Sequence, residues 1–141
     1  MAYHISVFLE NTPGKFAKIT QVLSDNNINL RAMSLANSGD FGVMKLLVDN
    51  PDKAFDALKQ NKIAVSKRKI VAVVVDNVPG SFNNLLKILS YNKINIEDCY
   101  GFLLSDSKTA AIVLEIEDEN AEQKLIDLKL AVLSEEKIYK S

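Results

Sequence analysis

The sequence of 141 residues is poor in the side chains that most often build catalytic or metal centres. It contains one cysteine (Cys99), one histidine (His4) and no tryptophan. One thiol cannot form an internal disulfide, and one cysteine with one histidine cannot supply a structural zinc site. A lone strand histidine is more often a packing or surface residue than a base, and a nucleophile needs a base beside it. We therefore expect no catalytic residue and no metal ligand.

The sequence also lacks a strong excess of charge of either sign and any long apolar run. Its 17 basic and 18 acidic side chains give a formal net charge of −1, whereas nucleic-acid binding requires concentrated positive charge. No apolar run approaches the roughly 20 residues of a membrane span, and the N-terminus lacks a signal pattern. No glycine-rich phosphate loop is present. These absences predict a soluble cytoplasmic protein with no cofactor and no nucleic-acid or membrane partner.

The chain contains an internal repeat, which becomes visible when the sequence is shifted against itself by 66 positions. The stretch Asn11–Phe16 then aligns with Asn77–Phe82, and Leu23–Leu30 aligns with Leu89–Ile96. Nine aligned pairs are identical, far more than chance would give. In chain order the shared residues are Asn, Pro, Gly, Phe, Leu, Ser, Asn, Ile and Asn. Self-similarity at a fixed spacing indicates two copies of one structural unit.

Each copy reads as strand, helix, strand, strand, helix, strand. Proline suits the first helical turn, and asparagine suits the left-handed residue that ends a helix. The predicted helices cover Gly14–Asn26 and Gly80–Asn92, with two further helices that begin after Asn50-Pro51 and after Asp118-Glu119 and end at about Gln60 and Lys129. The predicted strands cover Tyr3–Leu9, Ile28–Ala36, Gly42–Val48 and Ile63–Ser66 in the first copy, and Ile70–Asp76, Ile94–Leu104, Ala110–Ile116 and Glu136–Tyr139 in the second.

This order predicts an α+β fold class, with two ferredoxin-like βαββαβ domains in tandem and antiparallel sheets that carry helices on one face. We expect the first domain at residues 1–67 and the second at residues 68–141. No linker separates the copies, and Ile63–Val75 is expected to be nearly continuous strand. Two domains of this size would each have a marginal core.

The repeated turn Asn-x-Pro-Gly-x-Phe is the motif most able to carry a function. Its structural explanation is a strand-to-helix turn in which Phe16 and Phe82 fill the core. A helix start also leaves amide N–H groups without partners, and these attract a carboxylate. Asn11 and Asn77 can both donate and accept hydrogen bonds. This combination suits the carboxylate and ammonium of a free α-amino acid.

A second asparagine stands fifteen residues after each glycine of the turn, at Asn29 and Asn95. Each opens the second strand of its copy. This asparagine could serve only to end the preceding helix, or it could also contact a ligand. Its presence in both copies favours a functional role.

At these residues the sequence resembles the ACT domain family. The resemblance rests on Glu10–Gly14 with Asn27–Leu30, and on Asp76–Gly80 with Lys93–Ile96, and it covers essentially the whole chain. It implies a regulatory protein that binds an amino acid where the first loop of one ACT domain meets the strand opening of a neighbouring one. The residues implied in ligand binding are Asn11, Thr12, Pro13, Gly14, Asn29, Leu30, Asn77, Val78, Pro79, Gly80, Asn95 and Ile96.

Serine-binding members of the family carry a histidine two positions before the loop asparagine. Leu9 and Val75 stand at those positions here, which leaves room for a more apolar ligand. Family members are usually attached to a catalytic domain. Because we expect no catalytic domain in this sequence, the expected partner is a separate metabolic enzyme. A homodimer is expected by analogy with the family.

We therefore expect a non-catalytic amino-acid sensor that modulates a separate enzyme. The alternative is an interaction or dimerisation module that binds no ligand and acts through a sheet edge. A small enzyme is the least favoured hypothesis.

Overall fold

The computed structural model describes residues 1–140, and these residues form six strands and five helices. They divide into two compact units. The N-terminal unit is Tyr3–Arg68, and the C-terminal unit comprises Met1–Ala2 together with residues 69–140. Among the residues described, no helix is both long and apolar enough to cross a membrane. Ser141, the last residue of the predicted second domain, lies outside the described residues.

The elements follow one another with short connections. In chain order they are β1 (Ala2–Glu10), α1 (Lys15–Asp25), β2 (Leu30–Ser38), β3 (Phe41–Val48), α2 (Pro51–Gln60), β4 (Ala64–Asp76), α3 (Ser81–Tyr91), β5 (Asp98–Leu103), β6 (Thr109–Glu115), α4 (Ala121–Asp127) and α5 (Glu135–Lys140). The prediction of nearly continuous strand over Ile63–Val75 is confirmed, because β4 extends from Ala64 to Asp76.

The strands of the N-terminal unit lie in the order β2-β3-β1-β4, as a βαββαβ unit requires. β3 pairs antiparallel with β1 on one side and with β2 on the other. One face of this sheet packs against α1 and α2 because apolar residues alternate along the strands. The buried core of the unit consists of Ile5, Val7, Ile19, Val22, Leu23, Ile28, Met44, Leu46, Val48, Ala54, Ala57 and Leu58.

The C-terminal unit repeats this arrangement with the strand order β4-β6-β5. β6 pairs antiparallel with both neighbours, so that Val73 faces Ile112 and Cys99 faces Leu114. Its buried core consists of Val71, Val73, Leu85, Leu89, Ile112, Leu114, Ile116, Ala121 and Leu125. The predicted α+β fold class, with antiparallel strands and helices on one face, is confirmed.

The final strand predicted at Glu136–Tyr139 is wrong, because these residues lie in helix α5. The segment that contacts β4 comes earlier. The Val74 amide donates to the Ala131 carbonyl at 2.8 Å, and the Leu133 amide donates to the Ala72 carbonyl at 2.9 Å.

A helix then begins because Ser134 accepts a hydrogen bond from the Lys137 amide, at 3.4 Å. The first turn carries Glu135 and Glu136, whose negative charges are stabilised at a helix N-terminus. Ile138 supplies the buried contact of this helix.

The core of the N-terminal unit should depend strongly on Leu58, whose side chain is 0% exposed. We expect Leu58→Ala to lower the free energy of unfolding by about 2–5 kcal/mol, because it removes buried methyl groups and leaves a cavity. Urea denaturation followed by circular dichroism measures this change. Tyr91→Ala is the matched control, since Tyr91 is 89% exposed and its loss should change stability by no more than about 0.5 kcal/mol. Equal effects of the two substitutions would contradict the assignment of the core.

Candidate functional site

The two repeated turns are held in place by the same backbone hydrogen bond. The Asn11 amide donates to the Asp40 carbonyl at 2.8 Å, and the Asn77 amide donates to the Lys108 carbonyl at 2.8 Å. Each acceptor belongs to the hairpin that follows the second strand of its unit. Residues 11–14, here called the first loop, and residues 77–80, the second loop, are therefore fixed beside these hairpins.

A glycine in the left-handed conformation opens the helix after each loop. Gly14 has φ 88° and Gly80 has φ 90°, values that side chains rarely tolerate. Neither α1 nor α3 receives a capping hydrogen bond from a side chain of the described residues. By contrast, the Asn50 side chain caps α2 by accepting from the Lys53 amide at 3.1 Å. The Lys15 and Ser81 amides donate to the Thr12 and Val78 carbonyls at 3.2 and 3.3 Å. No side chain caps the amides that follow them, and these N–H groups suit a carboxylate.

The strand opening of the N-terminal unit lies beside the end of β3. The Asn29 amide donates to Asp49 Oδ1 at 3.1 Å, and the Asp49 amide donates back to the Asn29 carbonyl at 3.1 Å. An open cleft of about 440 Å³ adjoins this pair. It is lined by Thr20, Leu23, Ser24, Asn27, Ile28, Asn29, Leu30 and Asp49.

The equivalent cleft in the C-terminal unit has a volume of about 450 Å³ and is less polar. Its lining is Leu86, Leu89, Ser90, Lys93, Ile94, Asn95 and Ile96. Leu86 replaces Thr20, and Lys93 replaces Asn27 at a position where both residues have positive φ. The two clefts therefore have similar volumes but different chemistry.

Within one unit, the loop and the strand opening lie at opposite ends of the same central strand. Glu10, which precedes the first loop, pairs with Phe41 at the start of β3, whereas Leu30 pairs with Val48 at its end. The seven residue steps between them correspond to about 23 Å. The C-terminal unit has the same arrangement, because Asp76 pairs with Thr109 and Asp98 pairs with Glu115 on β6. A free amino acid cannot contact the loop and the opening of a single unit.

The asparagine side chains of the two copies differ in their partners. Asn77 Nδ2 donates to the Ser107 carbonyl at 3.2 Å, and Asn95 Nδ2 donates to Glu97 Oε1 at 3.2 Å. The side chains of Asn11 and Asn29 make no hydrogen bond with any described residue. Only the N-terminal unit therefore presents both asparagine side chains free for a ligand.

The longer hairpin of the C-terminal unit explains why Asn77 is held. Asp106 accepts hydrogen bonds from the Lys108 and Thr109 amides at 2.9 and 3.0 Å, and these bonds lower the pKa of its carboxyl group. This turn gives Ser107 a positive φ of 58° and presents its carbonyl to Asn77. The extra length of the hairpin is visible in the sequence, but the hydrogen bond from Asn77 is not.

The prediction that both loop phenylalanines fill the core is confirmed for Phe16 and wrong for Phe82. Phe16 packs against the N-terminal core, and a Cβ atom on Gly42 would lie 2.7 Å from its ring. Gly42 pairs with Leu9, and Ala110 occupies the equivalent position opposite Val75. A methyl group such as that of Ala110 would collide with a ring held in the way that Phe16 is held, and Phe82 is 43% exposed.

His4 and Cys99, the residues considered for catalysis, both lie on strands. His4 is fully buried on β1, and Cys99 is half-buried on β5 beside the C-terminal core. Burial, with a smaller contribution from the nearby charge of Asp98, raises the pKa of the Cys99 thiol. The thiol is therefore less nucleophilic near neutral pH than an exposed one.

Solved structures similar to this chain have the same tandem arrangement. The crystal structure of protein BT0572 from Bacteroides thetaiotaomicron is 35% identical, with a TM-score of 0.91, and the match covers 99% of this chain and 96% of that one. The regulatory subunit of aspartate kinase from Thermus thermophilus, in its ligand-free form, is 18% identical, with a TM-score of 0.65 and coverage of 89% and 91%. The corresponding subunit from Thermus flavus is 15% identical, with a TM-score of 0.60 and coverage of 89% and 90%.

The likeness to the two Thermus proteins concerns the fold alone, because their sequence identity to this chain is low. None of the curated protein sequences is a significant match to this chain. Comparison with protein families identifies the chain, because the family described as ACT domain pair matches residues 1–141. The repeated turn, the paired clefts and the tandem fold agree with it, and the chain belongs to the ACT domain pair family.

Proposed function

We propose that this protein binds a free amino acid through the repeated loops and strand openings and thereby modulates a separate metabolic enzyme, with no catalytic step of its own. The proposed ligand site combines a loop from one ACT unit with a strand opening from a different ACT unit. The residues involved are Asn11, Thr12, Pro13, Gly14, Asn29, Leu30, Asn77, Val78, Pro79, Gly80, Asn95 and Ile96.

The observation that carries this proposal is the uncapped start of α1 and α3. Both helices leave amide N–H groups without a capping side chain, and nothing occupies the space into which a Cβ atom on Gly14 or Gly80 would project. A carboxylate can approach these amides closely and gain both hydrogen bonds and the field of the helix dipole. The asparagine that begins each loop places an uncharged hydrogen-bond donor and acceptor beside the bound carboxylate.

The residues before the loops favour a ligand of apolar or neutral side chain. Leu9 and Val75 lie two positions before the loop asparagines, and both contact the cores of their units. Neither residue can donate a hydrogen bond or carry a charge toward the ligand. Regulation of an enzyme would follow if the partner binds the liganded arrangement better than the empty one.

Thermal-shift measurements with each of the twenty protein amino acids test the binding itself. We expect one amino acid or a small group with related side chains to raise the melting temperature. At a concentration 100 times its dissociation constant, a ligand that binds only the folded chain adds roughly 2.7 kcal/mol to stability. No shift with any amino acid would contradict the proposed function and would favour an interaction module that binds no ligand.

Asn11→Ala should weaken the amino acid identified in this way. Losing a hydrogen bond to a charged group reduces the binding free energy by about 1.5–3 kcal/mol. This loss raises the dissociation constant roughly 10- to 100-fold. Isothermal titration calorimetry on the full chain measures the change. Asn120→Ala is the matched control, because Asn120 is an exposed asparagine whose side chain caps nothing at the start of α4. Unchanged binding in Asn11→Ala would place the ligand elsewhere.

A further inference from the structure

We propose that one corner of the C-terminal unit, formed by Val78, Phe82 and Leu103 and here called the apolar corner, is a docking surface for an extended apolar segment of the enzyme that this protein modulates. The inference rests on the proposed function for the kind of partner, and it goes further by assigning the contact with that partner to a surface. Three features carry it, which are the exposed side chains of the corner, the backbone groups of the adjoining sheet edge and the small area of the patch.

The three exposed apolar side chains lie at the loop end of the C-terminal unit. Val78 is 59% exposed, Phe82 is 43% exposed and Leu103 is 57% exposed. Val78 belongs to the second loop, and Phe82 lies in the first turn of α3, which follows that loop. The second loop is bound to the Lys108 carbonyl, two residues before Ala110, which pairs with Leu103. The loop, the helix start and the strand end therefore border the same corner.

Leu103 also lies on the face of the sheet that carries α3. Side chains alternate along a strand, so Leu103 shares a face with Cys99, which packs against the C-terminal core. Helix α3 contributes Leu85 to this core, and its first turn is therefore on the same side of the sheet as Leu103.

The equivalent positions of the N-terminal unit are polar or packed. Thr12 and Asn37 stand where the C-terminal unit has Val78 and Leu103, and the ring of Phe16 packs against the N-terminal core. Folding of the repeated unit therefore does not require apolar groups at these exposed positions. Single exposed apolar residues are common, whereas several at one place mark an interaction surface.

The edge of the sheet beside the apolar corner offers backbone groups for pairing. β5 pairs only with β6 among the described strands. The Leu104 amide donates to the Thr109 carbonyl at 2.9 Å, so the alternation of an antiparallel ladder directs the N–H and C=O groups of Leu103 and Gly101 away from β6. Farther along the edge, the Cys99 amide already donates to the aspartate before it, at 2.9 Å. The available part of the edge is therefore the end that adjoins the corner.

These features fit a short extended segment of another protein. Such a segment can add a strand to β5, with backbone hydrogen bonds to Gly101 and Leu103 and with apolar side chains against Val78 and Phe82. Three side chains of this size, each about half exposed, offer no more than about 300 Å². A stable dimer needs about 800 Å² from each partner. The corner thus has the size for one segment of a regulated enzyme and not for a permanent subunit.

A second copy of β5 fits the same edge poorly. Full antiparallel overlap of two Asp98–Leu103 strands would place Leu103 of one copy opposite Asp98 of the other, so that an apolar side chain would face a carboxylate. The two apolar corners would then lie at opposite ends of the pairing and would not meet. A segment with apolar residues opposite Leu103 avoids this mismatch.

Docking at the apolar corner leaves the free asparagine side chains available to a ligand. Asn77 is held by the Ser107 carbonyl in the C-terminal unit, whereas Asn11 and Asn29 in the N-terminal unit make no side-chain hydrogen bond with described residues. The ligand and the enzyme would use different units, and regulation requires two such distinct sites.

Site-specific photo-crosslinking tests the surface in the cells that contain this protein. With p-benzoylphenylalanine in place of Leu103, the full chain should form a crosslink to one metabolic enzyme, and mass spectrometry should locate the crosslink in an extended segment of that enzyme. The same photoreactive residue in place of Tyr91 is the matched control, because Tyr91 is exposed at the opposite end of α3 from Phe82, and it should not capture the enzyme. A crosslink to a second copy of this chain, no crosslink from position 103, or equal capture from position 91 would overturn the proposal.

Substitutions at the corner should weaken the purified complex with the enzyme identified in this way. Leu103→Lys and Phe82→Ser should each raise its dissociation constant roughly 10-fold or more, because each removes an apolar contact from a small interface and lysine also opposes strand pairing. Leu103→Ile and the control Tyr91→Lys should bind as the wild-type chain does. Biolayer interferometry measures these affinities, and the melting temperature of each variant verifies its folding. Wild-type affinity in both Leu103→Lys and Phe82→Ser would refute the docking surface.

Thermal shifts with amino acids separate this proposal from the proposed function. All four variants should keep the shift that the best amino acid produces in the wild-type chain. If no amino acid produces a shift while the enzyme still binds at the corner, the sensor function is wrong and the docking surface stands. If an amino acid binds while the enzyme makes no contact at position 103, the docking surface alone is wrong.

Discussion

The arrangement of the candidate site depends on one backbone constraint, the left-handed glycine that begins α1 and α3. Because Gly14 and Gly80 occupy the N-cap positions, no side chain caps the first turn of either helix. The chain stabilises this costly start with a hydrogen bond from the preceding asparagine amide to a hairpin carbonyl. The second strand and its hairpin are therefore part of the site, although no hairpin residue was predicted to contact a ligand.

The repeat has diverged in chemistry while its backbone has been preserved. Equivalent residues keep their φ values, as at Gly14 and Gly80 or Asn27 and Lys93, yet the hydrogen bonds of their neighbours differ. In the C-terminal unit, the hairpin around Asp106 engages Asn77, and Glu97 engages Asn95. One copy thus retains free polar groups, and the other uses the same residue types to stabilise its own loops.

Most of the fold could be predicted from the sequence because the same order of strands and helices is encoded twice. Alternating strands and proline or asparagine at helix ends identified all elements except the last. The βαββαβ order predicts a short fourth strand at Glu136–Tyr139, although Ser134 followed by two glutamates is typical of a helix start. The contact that replaces the last strand is a single bridge between Val73 and Val132, too short to leave a periodic signal.

Less of the candidate site could be predicted, since hydrogen bonds between distant residues leave no local pattern. The presence of asparagine at both loop positions predicts equivalent roles, and only the three-dimensional structure distinguishes the two side chains. The same holds for Phe16 and Phe82, whose sequence context is alike. Their difference in burial accompanies the difference between Gly42 and Ala110, which lie more than twenty residues further along the chain.

The contact between Phe16 and Gly42 links two positions that the sequence keeps apart. The ring at position 16 occupies the volume that any larger residue at position 42 would need, so a change at either position requires an adjustment at the other. The ring of Phe16 thus packs the first turn of α1 against β3. The exposed ring of Phe82 does not fix the position of α3 in this way. Across related chains, positions 16 and 42 should vary in concert.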